Sequence, residues 1–159
     1  MEKYRFNNLA RDLGELFTMK IAENLEGKMN HLNILILIIE DDKYMNETLC
    51  DVLRSEGYNV DSAANARDAI NKIKHGTKQY HLLVLDYNLQ HLQGVTGIDI
   101  FEIAKEENRK VRAIMITAYG SDKRIKEKAL SKGINAFIEK PFMITDLVDT
   151  VDDLTREHA

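Results

Sequence analysis

Four places in this sequence set polar residues suited to metal or phosphate chemistry directly after an apolar run. Glu40 and Asp41 follow ILILII, Asp86 follows LLVL, Thr117 closes VRAIMIT, and Lys140 follows INAFIE. Short, uninterrupted apolar runs of this kind are strands buried on both faces of a parallel sheet. The carboxyl ends of such strands are where open α/β sheets place ligands. Each residue alone has an ordinary explanation: acidic residues cap helices, threonine is common in strands, and lysine is usually a solvated charge. Asp86 by itself is as readily a helix N-cap as a site residue. Strands of a parallel sheet all point the same way, however, so the four ends converge on one rim.

Three carboxylates gathered there repel one another. At an effective dielectric of about 20, each close pair costs roughly 4 kcal/mol near 4 Å. Protonation or a bound cation relieves that. Oxygen ligands with no His or Cys beside them favour Mg²⁺ over zinc. Lys140 adds a compact positive charge and Thr117 a hydroxyl donor. A divalent metal, a lysine and a hydroxyl around one aspartate are the parts that bind and neutralise a phosphoryl group. Asp86 is then placed to act as the nucleophile, forming an acyl phosphate.

The elements that position these residues alternate along the chain. After the first strand, Met45, Leu49, Val52 and Leu53 give a helix its inner face, closed by Gly57. Tyr58–Ala63 is the second strand, and Ala66–Lys74 a helix with Ala66, Ala69, Ile70 and Ile73 inward. The strand ending at Asp86 is third, and a loop leads to a helix with Ile100, Phe101 and Ile103 inward. Val111–Thr117 is the fourth strand. Ser121 or Asp122 caps the helix that runs to about Ser131 and ends at Gly133. Ile134–Glu139 is the fifth strand, and Ile144, Leu147, Val148, Val151 and Leu154 mark the last helix. Five βα units in a row imply a doubly wound parallel sheet with right-handed crossovers.

Residues 1–31 differ from this pattern. Leu9, Leu13, Leu16, Phe17, Ile21 and Leu25 fall at helical spacing, which predicts an amphipathic helix over about 7–28 with Gly27 as its stop. Such a helix packs on its own domain or on a second copy. Otherwise it is a docking arm for another protein, or a tail preceding a true start at Met29.

The 159 residues allow one domain with a sizeable core. A net charge of −4 speaks against non-specific nucleic-acid binding. A single cysteine, Cys50, excludes an internal disulfide and suits a reducing, cytoplasmic setting. The longest apolar run, Ile34–Ile39, is too short to span a membrane, and no signal-peptide pattern is present. Neither glycine-rich nucleotide motif occurs. After residue 142 only one helix remains, so output is expected through protein contacts.

Ile34–Asp42 (ILILIIEDD), Leu82–Asn88 (LLVLDYN), Ile114–Ala118 (IMITA) and Phe137–Phe142 (FIEKPF) together resemble the receiver domain of bacterial two-component response regulators. The resemblance covers about 32–158, dividing the chain into a helical extension, 1–31, and a receiver, 32–159. It implies a flavodoxin-like (βα)5 fold with strand order 2-1-3-4-5. It further implies transfer of a phosphoryl group to Asp86 from a histidine kinase or histidine phosphotransfer protein. Mg²⁺ would be held by Glu40, Asp41, Asp86 and the backbone carbonyl of Asn88, with Thr117 and Lys140 on the phosphoryl group. Thr117 and Phe137 fall at the switch positions, Asn88 and Tyr119 at those tuning acyl-phosphate lifetime, and Lys140-Pro141 at a bond usually cis. Departures are Gln90 where proline is common, a longer loop over HLQGVTG, and Phe137 in place of tyrosine.

Two other functions would draw on the same residues or the same fold. A phosphohydrolase of the haloacid dehalogenase type uses similar groups, but its second Asp stands two residues after the nucleophile, where this chain has Asn88, and its acidic pair comes last. A receiver-like scaffold would keep the fold without the chemistry. A homodimer is expected either through the N-terminal helix or where the basic helix (Lys123, Arg124, Lys126, Lys128) meets the acidic last helix (Asp146, Asp149, Asp152, Asp153).

Overall fold

The computed structural model describes the backbone of residues 2–89, 94–118 and 122–156, and their side chains except at 2–11 and 28–30. A helix α1 (Glu2–His31) precedes β1 (Leu35–Ile39), α2 (Lys43–Ser55), β2 (Asn59–Ala63), α3 (Ala66–His75) and β3 (Leu82–Asp86). Then come α4 (Gly97–Glu107), β4 (Arg112–Thr117), α5 (Lys123–Lys132), β5 (Ala136–Glu139) and α6 (Ile144–Thr155). All strand pairs are parallel, in the order β2-β1-β3-β4-β5. This is the flavodoxin-like fold the sequence implied.

The strand period of two divides the core. Ile36, Ile38, Val84, Ile114 and Ile116 face α2 and α6 through Leu49, Leu53, Leu147 and Val151. Leu37, Ile39, Leu85, Ala113 and Met115 face α3, α4 and α5 through Ala69, Ile100, Phe101 and Ala129. Both faces of the central strands are therefore dry, which is why their sequences read as continuous apolar runs.

Caps fix where the helices begin at the rim. Asp42 Oδ1 accepts from the Met45 amide at 2.8 Å and starts α2. Asp122 Oδ1 accepts from the Arg124 amide at 3.0 Å and starts α5, which Gly133 closes at φ 91°. The alternative cap, Ser121, lies outside the described residues, as do Gln90 and residues 91–93 of the loop that follows it. In α4 the inward set is Ile98, Ile100, Phe101 and Ala104, with Ile103 only half-buried.

The N-terminal helix departs most from expectation. It runs to His31, four residues past Gly27, and no Cβ neighbour would crowd that glycine. Packing on its own domain is also overturned for the described stripe: Leu13, Leu16, Phe17, Ile21 and Leu25 are all exposed. The side chain of Leu9 lies outside the described residues. Among the described side chains of α1, only those at its root are seated. The His31 ring stacks on Tyr58 with centroids 4.1 Å apart, and its Nδ1 donates to the Glu56 carbonyl at 2.8 Å. Tyr58 Oη donates to Asp152 Oδ1 at 2.6 Å and lies 3.0 Å from Thr155 Oγ1 and 3.2 Å from His31 Nε2.

Candidate functional site

Glu40 stands one residue beyond β1, Asp86 ends β3, Thr117 ends β4, and Lys140 follows β5. Parallel strands in this order bring all four to one edge of the sheet, as their positions in the sequence required. Ligand oxygens of Glu40, Asp41 and Asp86 lie within 4.8 Å of one another. Glu40 is 2% exposed, Asp86 8% and Thr117 2%. Lys140 Nζ donates to Asp86 Oδ2 at 2.7 Å and to Glu40 Oε2 at 2.9 Å, bridging the outer strands' contribution to the centre. The second oxygen of each carboxylate is also held. Asp86 Oδ1 accepts from the Asn88 amide at 3.0 Å, and Glu40 Oε1 from the Asp42 amide at 3.2 Å.

One ammonium among three carboxylates leaves the rim short of positive charge. Burial pushes the Glu40 carboxyl above its usual range; Lys140 opposes this, while Asp86 adds to it. For Lys140, burial works against the charged form, but hydrogen bonds to Asp86 and Glu40 outweigh it and raise the ammonium above the ordinary lysine value. An all-oxygen donor set with surplus negative charge fits a hard divalent cation such as Mg²⁺.

The backbone around Lys140 is fixed from two sides. Its amide donates to the Thr117 carbonyl at 2.9 Å, and the Lys140-Pro141 bond is cis, as the resemblance implied. Phe137, one strand-turn earlier, is half-buried against the α3–α5 core, with Lys126 Nζ 6.0 Å from its ring centroid. Asn88 is exposed beside Asp86. Tyr119 lies outside the described residues.

Two supporting residues were not picked out from the sequence. Asn46, buried in α2, donates through Nδ2 to the Glu40 carbonyl at 2.8 Å and the Ala63 carbonyl at 3.2 Å, tying the Glu40 turn to β2. Its signal was an amide, a poor helix former, in register with the inward Leu49 and Leu53. Gly97 opens α4 so close to β3 that a Cβ there would sit 2.6 Å from the Asp86 carbonyl oxygen. A glycine at the start of the helix that follows the strand-end aspartate was the available clue.

A five-stranded parallel sheet in this order, with an acidic rim closed by a lysine, defines a class: doubly wound α/β proteins that handle a charged ligand at the strand ends. Within that class, the chain belongs to the response regulator receiver domain family, which matches residues 36–152. Chemotaxis protein CheY-3 of Vibrio cholerae is 30% identical over 123 residues, covering 77% of this chain and 92% of that protein. The transcriptional regulatory protein PcoR of Escherichia coli is 34% identical over 121 residues, 76% of this chain. The chain spans only 51% of that relative's length. The receiver domain protein (CheY-like) of Methanospirillum hungatei superimposes with a TM-score of 0.70 at 27% identity, covering 79% of this chain and 96% of that one. CheY in the CheX-CheY-BeF3-Mg²⁺ complex of Borrelia burgdorferi gives 0.67 at 27% identity, covering 76% and 88%. Receiver domains are phosphoacceptor signalling domains rather than enzymes in the usual sense. No helix among the described residues is long and apolar enough to cross a membrane.

Proposed function

We propose that this chain is a phosphoacceptor of a two-component relay, taking a phosphoryl group on Asp86 and signalling through protein contacts. The observation that carries this is the bridge of Lys140 between Asp86 and Glu40 inside a cluster of three carboxylates. One Asp86 carboxylate oxygen attacks the phosphorus of a phosphohistidine on a histidine kinase or phosphotransfer protein. The phosphorus–oxygen bond forms as the phosphorus–nitrogen bond breaks, and the electron pair returns to the imidazole. Glu40, Asp41, Asp86 and the Asn88 carbonyl would hold Mg²⁺, which would supply positive charge against the phosphate oxygens. Lys140 then moves its hydrogen bonds from the carboxylates to a phosphoryl oxygen, and Thr117 donates its hydroxyl to another. Movement of Thr117 and repacking of the half-buried Phe137 alter the α5 surface, which is the two-state element coupling requires.

Acetyl phosphate should label Asp86 only with Mg²⁺ present. A chain that turns over a generic phosphomonoester repeatedly would instead be a phosphohydrolase, and one that binds its targets without ever being labelled would be a scaffold. By the family resemblance, Asn88 and Tyr119 fall at the two positions that tune acyl-phosphate lifetime. If the ring at 119 shields the acyl phosphate, Tyr119→Ala shortens its half-life. The reducing, cytoplasmic setting suggested by the buried thiol of Cys50 is part of the same proposal.

A further inference from the structure

Two faces were expected to pair copies of this chain, and the structure separates them. The acidic side of α6 is partly spent, because Asp152 is bonded to Tyr58 and half-buried. The described stripe on α1 has no such cover.

Leu13, Phe17, Ile21 and Leu25 follow one another at intervals of four and are 57%, 67%, 44% and 58% exposed. They make one continuous ridge along the helix. One residue further round, Gly14, Thr18 and Ala22 follow the same interval and form a row of small side chains beside it. A ridge next to a row of small residues is a ridge next to a groove. Glycine within a helix lowers helix stability relative to alanine, and nothing among the described residues uses the missing side chain: a Cβ on Gly14 would meet no atom within 4 Å. The Thr18 hydroxyl is already satisfied, donating to the Gly14 carbonyl at 2.8 Å, so the groove presents no unmet hydroxyl. Of the carboxylates in this stretch, Asp12, Glu15, Glu23 and Glu26 all lie round the far side of the helix from the ridge.

We infer that α1 pairs with α1 of a second copy across a two-fold axis between Phe17 and Thr18, the Leu13–Phe17–Ile21 ridge of each lying in the Gly14–Thr18–Ala22 groove of the other. The pattern is its own complement. An antiparallel copy centred between Phe17 and Thr18 sets Leu13 against Ala22, Phe17 against Thr18 and Ile21 against Gly14, and the same pairs in reverse, as an isologous contact demands. Ridges of four interleaved with grooves of four are the commonest helix packing, and the absent Gly14 side chain is what lets the two backbones approach. The root of α1 is seated at His31, next to the start of β1, whereas Asp86 is at the far end of its strand. Pairing through α1 therefore leaves both phosphoacceptor rims open to a kinase.

Sedimentation equilibrium of the full chain over a wide concentration range should show a monomer–dimer equilibrium. Phe17→Glu should weaken association by roughly a hundredfold, the cost of charge at the centre of an apolar contact. Gly14→Leu should weaken it by about tenfold even though leucine is the better helix former. Retained far-ultraviolet helicity and retained labelling at Asp86 show that both variants are folded. In a Cys50→Ala background, Phe17→Cys should form an intermolecular disulfide with oxidised glutathione, whereas Glu15→Cys on the far side should not. A wild-type chain that stays monomeric throughout overturns the inference, as does a Gly14→Leu dimer as tight as wild type. A monomer that instead binds anionic phospholipid vesicles also overturns it, in favour of a membrane-surface helix.

Discussion

Two carboxylate clusters in this molecule solve the same electrostatic problem in opposite ways. Asp61 in β2 is alone among cations: Lys72 Nζ and Lys78 Nζ reach its two oxygens at 3.1 and 3.2 Å, and Tyr80 Oη donates to it at 2.9 Å. Burial works against its ionisation, but the bonds from Lys72, Tyr80 and Lys78 win, and its pKa falls to about 2. At the rim the ratio is reversed, three carboxylates to one lysine, and Glu40 is pushed up instead. The Asp61 cluster is complete and holds β2, α3 and the approach to β3 together. The rim keeps a surplus of negative charge, which suits the proposed binding of a cation and, with it, a phosphoryl group. Carboxylates by themselves mark neither; the sign of the local surplus tells them apart.

The sharpest way to break this comparison is Asp86→Asn, which should abolish labelling by acetyl phosphate, while Asp61→Asn leaves it intact; intact-mass analysis reads both. Lys140→Met comes next. Removing the one ammonium leaves Glu40 and Asp86 facing each other, and should cost about 3 kcal/mol of stability in chelator. Mg²⁺ should recover much of that loss, because an ion bound only by the folded state stabilises it. Urea denaturation with and without Mg²⁺ measures both effects, and Lys72→Met should show no such recovery.

Asp61→Asn should cost roughly 2 kcal/mol near neutral pH. Its sign follows from a folded pKa below the unfolded one. The stabilisation is complete above about pH 4 and is lost as pH falls toward 2, so wild type and variant should converge in acid. Urea midpoints at several pH values test that. The smallest effect is expected from Tyr80→Phe, which removes one of the three side-chain donors to Asp61 and should cost about 1 kcal/mol. Lys72 and Lys78 remain to hold the carboxylate.

The rim was legible because each of its residues follows an apolar run, and parallel strands convert that shared position in sequence into a shared position in space. The Asp61 cluster was not. Its members come from a strand, a helix and a loop, and in β2 only Ala63 is fully buried, so Asp61 reads as an ordinary polar position. The same limit hid Asn46, whose partners are backbone carbonyls that carry no sequence signal. The stripe on α1 was read correctly as apolar and helical, but periodicity reports which residues seek cover, and not where the cover comes from. Gly27 was expected to end that helix. The chain instead stays helical to His31, where stacking on Tyr58 gives the terminus a tertiary contact that local propensity does not register.

Tyr58 has a consequence for how the chain is assembled as it is made. Its hydroxyl meets His31, Asp152 and Thr155, so the seat of the first helix includes residues from the last. Arg112 Nη1, donating to the Leu154 carbonyl at 2.6 Å, helps bring that last helix into place. Synthesis runs from the amino end, and α1 leaves the ribosome before any of these partners exists. Contacts that span so much sequence form late, after the intervening loop has been closed. A helix made before every partner of its root is thus among the last elements to be fixed in place.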